Sequence, residues 1–89
     1  MQKKIMKVNA SDNVAVALVN LKAGDVISFE NQDIKIISDT KSKHKIALDK
    51  FEAGDRIIMY GVLVGSANGV IKKGDVLTIE NVKHQSEKV

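Results

Sequence analysis

Short stretches rich in apolar residues, several of them alternating apolar and polar, recur along this chain: Val26-Ile27-Ser28-Phe29-Glu30, Ile34-Lys35-Ile36-Ile37-Ser38, Ile57-Ile58-Met59-Tyr60, Val62-Leu63-Val64 and Val76-Leu77-Thr78-Ile79-Glu80-Asn81-Val82. The period is close to two and β-branched residues dominate, so each stretch predicts a strand, and residues 4–8 predict one more. Three of the strands follow the same device: Leu21-Lys22-Ala23-Gly24-Asp25, Phe51-Glu52-Ala53-Gly54-Asp55 and Ile71-Lys72-Lys73-Gly74-Asp75. Gly supplies a position open to positive φ and the following Asp can bond nearby amides, so each copy predicts a tight turn feeding a strand. The copies are unequally spaced, by 30 and then 20 residues, which points to one irregular domain that reuses a turn rather than to a solenoid.

Two segments are ambiguous by pattern. Asp12-Asn13 ahead of the apolar run at residues 14–19 has the look of an N-cap and predicts one short helical segment, although a buried strand gives the same run. Lys45-Ile46-Ala47-Leu48-Asp49 fits either a single helical turn or an extended segment. Together these elements predict a mostly β class: a small, irregular barrel or pretzel-like domain of short strands with one or two short helical turns. Residues 1–84 read as that single domain and the polar residues 85–89 as a flexible C-terminal tail.

Composition narrows the chemistry. There is no Cys, Pro or Trp among the 89 residues, and aromatics make up 3%, so the core rests on Val, Ile, Leu, Ala and Met. Lack of Cys excludes disulfides, zinc ribbons, iron–sulfur clusters and a thiol nucleophile. The longest apolar run, within residues 14–19, falls far short of the roughly 20 residues of a membrane span. No signal-peptide block follows residues 1–7, and the expectation is a soluble, cytoplasmic protein with no membrane contact. Net charge is +3 with both signs mixed, Arg56 is the single arginine, and no aromatic stacking platform exists, so nucleic acid is not an expected partner.

The titratable inventory is thin. His44 lies in the basic loop Thr40-Lys41-Ser42-Lys43-His44-Lys45, where an imidazole can serve as metal ligand, general acid or base, or anion contact; a solvated loop gives the same pattern. His84 follows the last predicted strand. The glycines around Ser66-Ala67-Asn68-Gly69 lack the Lys-Ser/Thr of a phosphate loop and read as turn residues.

Taken in order, Asp12-Asn13-Val14-Ala15-Val16-Ala17-Leu18, Leu21-Lys22-Ala23-Gly24-Asp25, His44-Lys45-Ile46-Ala47-Leu48, Ala53-Gly54-Asp55, Tyr60-Gly61, Gly65-Ser66-Ala67, Gly74-Asp75 and Asn81-Val82 resemble the SAF domain of the altronate and galactarate dehydratase family. The resemblance runs over residues 5–82. It implies a β-clip fold, similar to type III antifreeze protein, and a role in eliminating water from sugar acids with a divalent metal, often iron. In that family the domain is the front of a long polypeptide or a small separate subunit, so the implied partners are a large catalytic chain or domain and a sugar-acid substrate. The chain alone is then an accessory part of a hydro-lyase, inactive by itself. The alternative is a non-catalytic SAF module that binds carbohydrate or protein.

By the same resemblance, His44 is the candidate catalytic residue and metal ligand, and Lys45 and Asn81 are candidate substrate contacts. The family's Gly-His-Lys-Ile-Ala-Leu, often preceded by Pro, departs here to Lys41-Ser42-Lys43 ahead of His44. Thr78 and Glu80 stand where the family's closing strand carries alternate histidines, and period-two spacing puts both on one strand face. Glu80 is therefore the second candidate metal ligand, as a carboxylate for a hard cation.

Overall fold

The computed structural model describes residues 3–84. Its strands are β1 (Ile5–Met6), β2 (Val14–Ala17), β3 (Val26–Phe29), β4 (Gln32–Lys35), β5 (Lys45–Ala47), β6 (Arg56–Met59), β7 (Val62–Ala67) and β8 (Val82–His84). They make three small antiparallel sheets, ordered β1-β2-β5, β3-β4 and β6-β7-β8. The domain is mostly β, as the alternating pattern predicts. Residues 85–89, read as a tail, lie outside the described residues.

No helix occurs among the described residues, which corrects the helical segment expected at residues 14–19. Strand β2 runs between two hydrophobic cores. Ala15 and Ala17 pack into one with Ile5, Ile27, Ile34, Ile36 and Ile46. Val14 packs into the other with Phe51, Ile57, Met59, Ile71 and Val82, and half-buried Val16 lies against it. A strand covered on both faces is apolar at every position, so the period-two signal vanishes and a helix fits the run equally well. The apparent N-cap has a different use. The buried Asp12 carboxylate accepts hydrogen bonds from the amides of Asn9 (3.0 Å), Tyr60 (3.0 Å) and Gly61 (2.8 Å), stapling the loop before β2 to the β6-β7 hairpin.

The Gly-Asp turn occurs in the structure four times. Gly24, Gly54 and Gly74 each have φ of 91–94°, and Lys43 takes the same role at φ 78°. At each copy the amide of the next residue closes the turn on a carbonyl three residues back: Asp25 on Lys22, His44 on Lys41, Asp55 on Glu52 and Asp75 on Lys72, at 3.0–3.1 Å. Each positive-φ amide also donates across to a strand or strand end, Gly24 to Ile36, Lys43 to Ala17, Gly54 to Ala67 and Gly74 to Ala47. These bonds show that the chain follows one path twice. The Leu21-Thr40 bridge recurs as Phe51-Ile71, and the bond from Ala17 to the His44 carbonyl recurs from Ala47 to Asp75. The two cores belong to the two passes.

The second pass departs from the first at two places. In the β3-β4 hairpin the register is continuous, whereas β6-β7 shifts between Ile57-Gly65 and Ile58-Leu63, leaving Val64 as the extra residue of a bulge. Further on, the strand predicted over residues 76–82 is broken. The Asn81 side chain accepts the Thr78 amide (2.7 Å) and donates to the Val76 carbonyl (3.0 Å), so the chain turns at residues 79–81 before entering β8.

Candidate functional site

Those two departures border a single groove of about 610 Å³. Val14, Ile57, Met59, Val64, Leu77 and Val82 give it an aliphatic lining, and His44, Lys45, Tyr60, Thr78 and Ile79 complete it. Each polar member is placed by backbone bonds already described.

His44 occupies the position that Asp holds in the other three turns. In two of those, the carboxylate folds back on its own turn, Asp25 onto the Lys22 amide (2.9 Å) and Asp55 onto the Glu52 amide (2.7 Å). An imidazole at that place leaves the turn to the backbone: the His44 amide donates to Lys41 (3.1 Å) and its carbonyl accepts from Ala17 (2.8 Å). The side chain is exposed, its position fixed by a turn it does not itself close. Lys45 is the next residue, half-buried at the start of β5, with its carbonyl accepting the Leu77 amide (2.9 Å). The structure thus brings His44 and Lys45 to one groove, as neighbours along the chain.

Glu80 and Asn81 are placed differently from the sequence expectation. Thr78 and Glu80 do not share a strand face, because a turn stands where the strand was predicted. Thr78 lines the groove and its hydroxyl accepts from the Glu80 and Asn81 amides at 3.2 and 3.3 Å, while exposed Glu80 is not among the lining residues. The Asn81 amide group is engaged with the backbone of its own turn. Among the described residues no three His, Asp or Glu side chains come together to hold a metal ion. The two residues expected to ligate a metal are not brought to one groove: His44 lines it and Glu80 does not.

Tyr60 is the lining residue that sequence reasoning missed. It sits at φ 56° in the β6-β7 turn, a conformation that costs a bulky side chain about 1 kcal/mol, and Asp12 holds its amide there. The available signal was the pair Tyr60-Gly61 between two alternating stretches, a hairpin turn with an aromatic where Asn, Asp or Gly is usual. Chemically, the groove offers an imidazole, a lysine amine and two hydroxyls beside an aliphatic lining.

Comparison with known proteins places this arrangement in context. Residues 3–85 match the family model described as altronate/galactarate dehydratase SAF domain. The chain is 39% identical over 69 residues to altronate dehydratase of Escherichia coli (strain K12), covering 78% of this chain and 14% of that protein. It is 32% identical over 81 residues to altronate dehydratase of Bacillus subtilis (strain 168), covering 91% of this chain and 16% of that protein. The chain thus spans about one seventh of the length of these curated relatives. With the family model covering nearly every residue, the chain belongs to the altronate/galactarate dehydratase SAF domain family.

Proposed function

We propose that this chain contributes one wall of the active site of a cytoplasmic sugar-acid dehydratase, the rest of the site being carried by a larger catalytic chain or domain. The observation that carries the reading is the placement of His44 and Lys45 together at the groove, on a chain of a dehydratase SAF family. Dehydration of an aldonate or aldarate requires removal of the proton α to the carboxylate, stabilisation of the resulting enediolate, and protonation of the departing hydroxyl. The Lys45 ammonium pairs with the substrate carboxylate, and the His44 imidazole takes or returns a proton. Asn81 supports the substrate edge of the same wall through its turn. A divalent metal, iron in the family's usual pattern, would supply Lewis acidity when bound; His44 is the donor this chain offers at the groove, and Glu80, outside the groove lining, would be a second donor only to a metal held mainly by the larger chain.

The test is reconstitution. The isolated chain is expected to be inactive on altronate and galactarate. Mixed with the large dehydratase polypeptide of the same organism, it should support formation of the α-keto acid product, and His44→Ala should lower kcat by about 100-fold or more, the usual worth of a positioned proton-transfer group. Turnover unchanged by His44→Ala would remove the imidazole from the site. The aliphatic character of the groove favours a second reading, a non-catalytic protein-binding module, under which no reconstituted mixture gains rate from this chain.

A further inference from the structure

The groove opens where the second pass departs from the first. The matching turn and bridge bonds set Ile34 of the first pass against Gly65 of the second, Ile36 against Ala67, and Leu48 against Ile79. Gly65 and Ala67 are buried like their counterparts and do not line the groove, so the position that opens is the third: Leu48 is 5% exposed, whereas Ile79, on the groove, is 83% exposed. The cause is visible there. The Leu48 amide continues the β2-β5 ladder by donating to the Asn13 carbonyl (3.0 Å), whereas the corresponding ladder on β5 ends at the bond from Leu77 to Lys45, and Asn81 diverts the chain outward. Val64, the inserted bulge residue, sits on the same groove.

We propose that this groove is a socket for an aliphatic segment of the larger dehydratase chain, which supplies there the kind of side chain that Leu48 supplies within the first pass. Two facts identify that occupant. The first pass shows what chemistry fills the corresponding place, the branched aliphatic Leu48, and the Val14, Ile57, Met59, Val64, Leu77 and Val82 part of the lining offers a sugar acid's hydroxyls no side-chain partner. The curated relatives carry about six sevenths of their length outside the matched part, so the family pairs this domain with a much larger body. The proposal takes its partner from the reading above and refines the site: the segment occupies the aliphatic interior, and His44 and Lys45 at its edge face the substrate. Burial of aliphatic side chains in the groove stabilises the join and closes the site to water at the same time.

The experiment uses the full 89-residue chain, with Leu, Ile and Val methyl groups isotope-labelled, titrated with the large dehydratase polypeptide of the same organism. Methyl signals of Val64, Leu77, Ile79 and Val82 should shift on binding, with Val26 on β3 unmoved. Val64→Phe, which fills the groove, should weaken association by at least about tenfold, while Val26→Lys leaves it within about twofold. Circular dichroism checks that Val64→Phe folds; if it does not, the methyl shifts of the unaltered chain decide. Shifts confined to other faces, or full affinity in a folded Val64→Phe chain, overturn the socket, as does self-association of the chain that perturbs these same methyls without the large polypeptide. His44→Ala separates the two readings. Loss of turnover with intact association upholds the substrate role whatever becomes of the socket; Val64→Phe losing association while His44→Ala keeps full turnover upholds the socket alone.

Discussion

Asp12 offers the sharpest test of how the two passes are held together. Its carboxylate is 5% exposed and accepts three backbone amides, two of them 48 and 49 residues away in the β6-β7 turn. Hydrogen bonds to a charged acceptor are worth about 1.5–3 kcal/mol each, so three would total about 5–9 kcal/mol if nothing opposed them. Burying the carboxylate opposes them, and Asn9, Tyr60 and Gly61 are themselves exposed, so amides released by Asp12→Ala reach water. A net loss of about 3 kcal/mol remains, a large part of the about 5–15 kcal/mol that holds a domain of this kind folded. At about 4–8 °C per kcal/mol for a domain of this size, Tm should fall by at least about 12 °C. Asp12→Asn keeps a carbonyl acceptor and should lose about half as much. Urea unfolding with an unchanged m-value measures the difference, and amide exchange at Tyr60 and Gly61 should accelerate in step. A loss below about 1 kcal/mol for Asp12→Ala would refute the view that this carboxylate fastens the hairpin bordering the groove.

Two other perturbations follow from the turns. Lys43→Gly removes a side chain from a left-handed position at φ 78° and should raise stability by about 1 kcal/mol, read as a higher urea midpoint; Lys43→Val should lower it. Gly74→Ala brings a methyl group to 1.9 Å from the Lys35 carbonyl oxygen and should cost more than about 3 kcal/mol or prevent folding, whereas Gly24→Ala meets nothing within 4 Å and should cost only the about 1 kcal/mol of its backbone conformation. Equal losses in the two variants, measured by thermal unfolding, would contradict that assignment.

The strands most visible in the sequence are those with one wet face. Val26, Ile27, Ser28 and Phe29 alternate exposed and buried or half-buried, and β3 lies where the pattern predicts it. The β2 strand was hidden by its two cores, since an apolar residue at every position carries no period. The fourth turn was hidden because Lys43 and His44 replace the Gly and Asp that advertise the other three, and backbone bonds alone make the equivalence visible. Residues 76–82 misled in the opposite sense: the alternation is real, but the Asn81 side chain competes for the Thr78 amide and wins it from the sheet. His44 and Lys45 were legible as chemistry. The groove beside them was not, because it is bordered by the inserted Val64 and by Ile79 in the Asn81 turn, residues with no chemistry of their own.

The sharing of one strand by the two passes explains why the groove lies next to His44. Strand β5 belongs to both passes: Ile46 packs into the first core and Ala47 into the second, while Lys45 opens the strand directly after the turn. A side chain at position 44 therefore lies where the core of the first pass adjoins that of the second. The first core is packed without a partner, so the backbone that carries His44 and Lys45 is set before anything binds. The groove adjoins the second core and shares its lining with His44 and Lys45, so a segment seated in it as proposed is necessarily held beside those two groups.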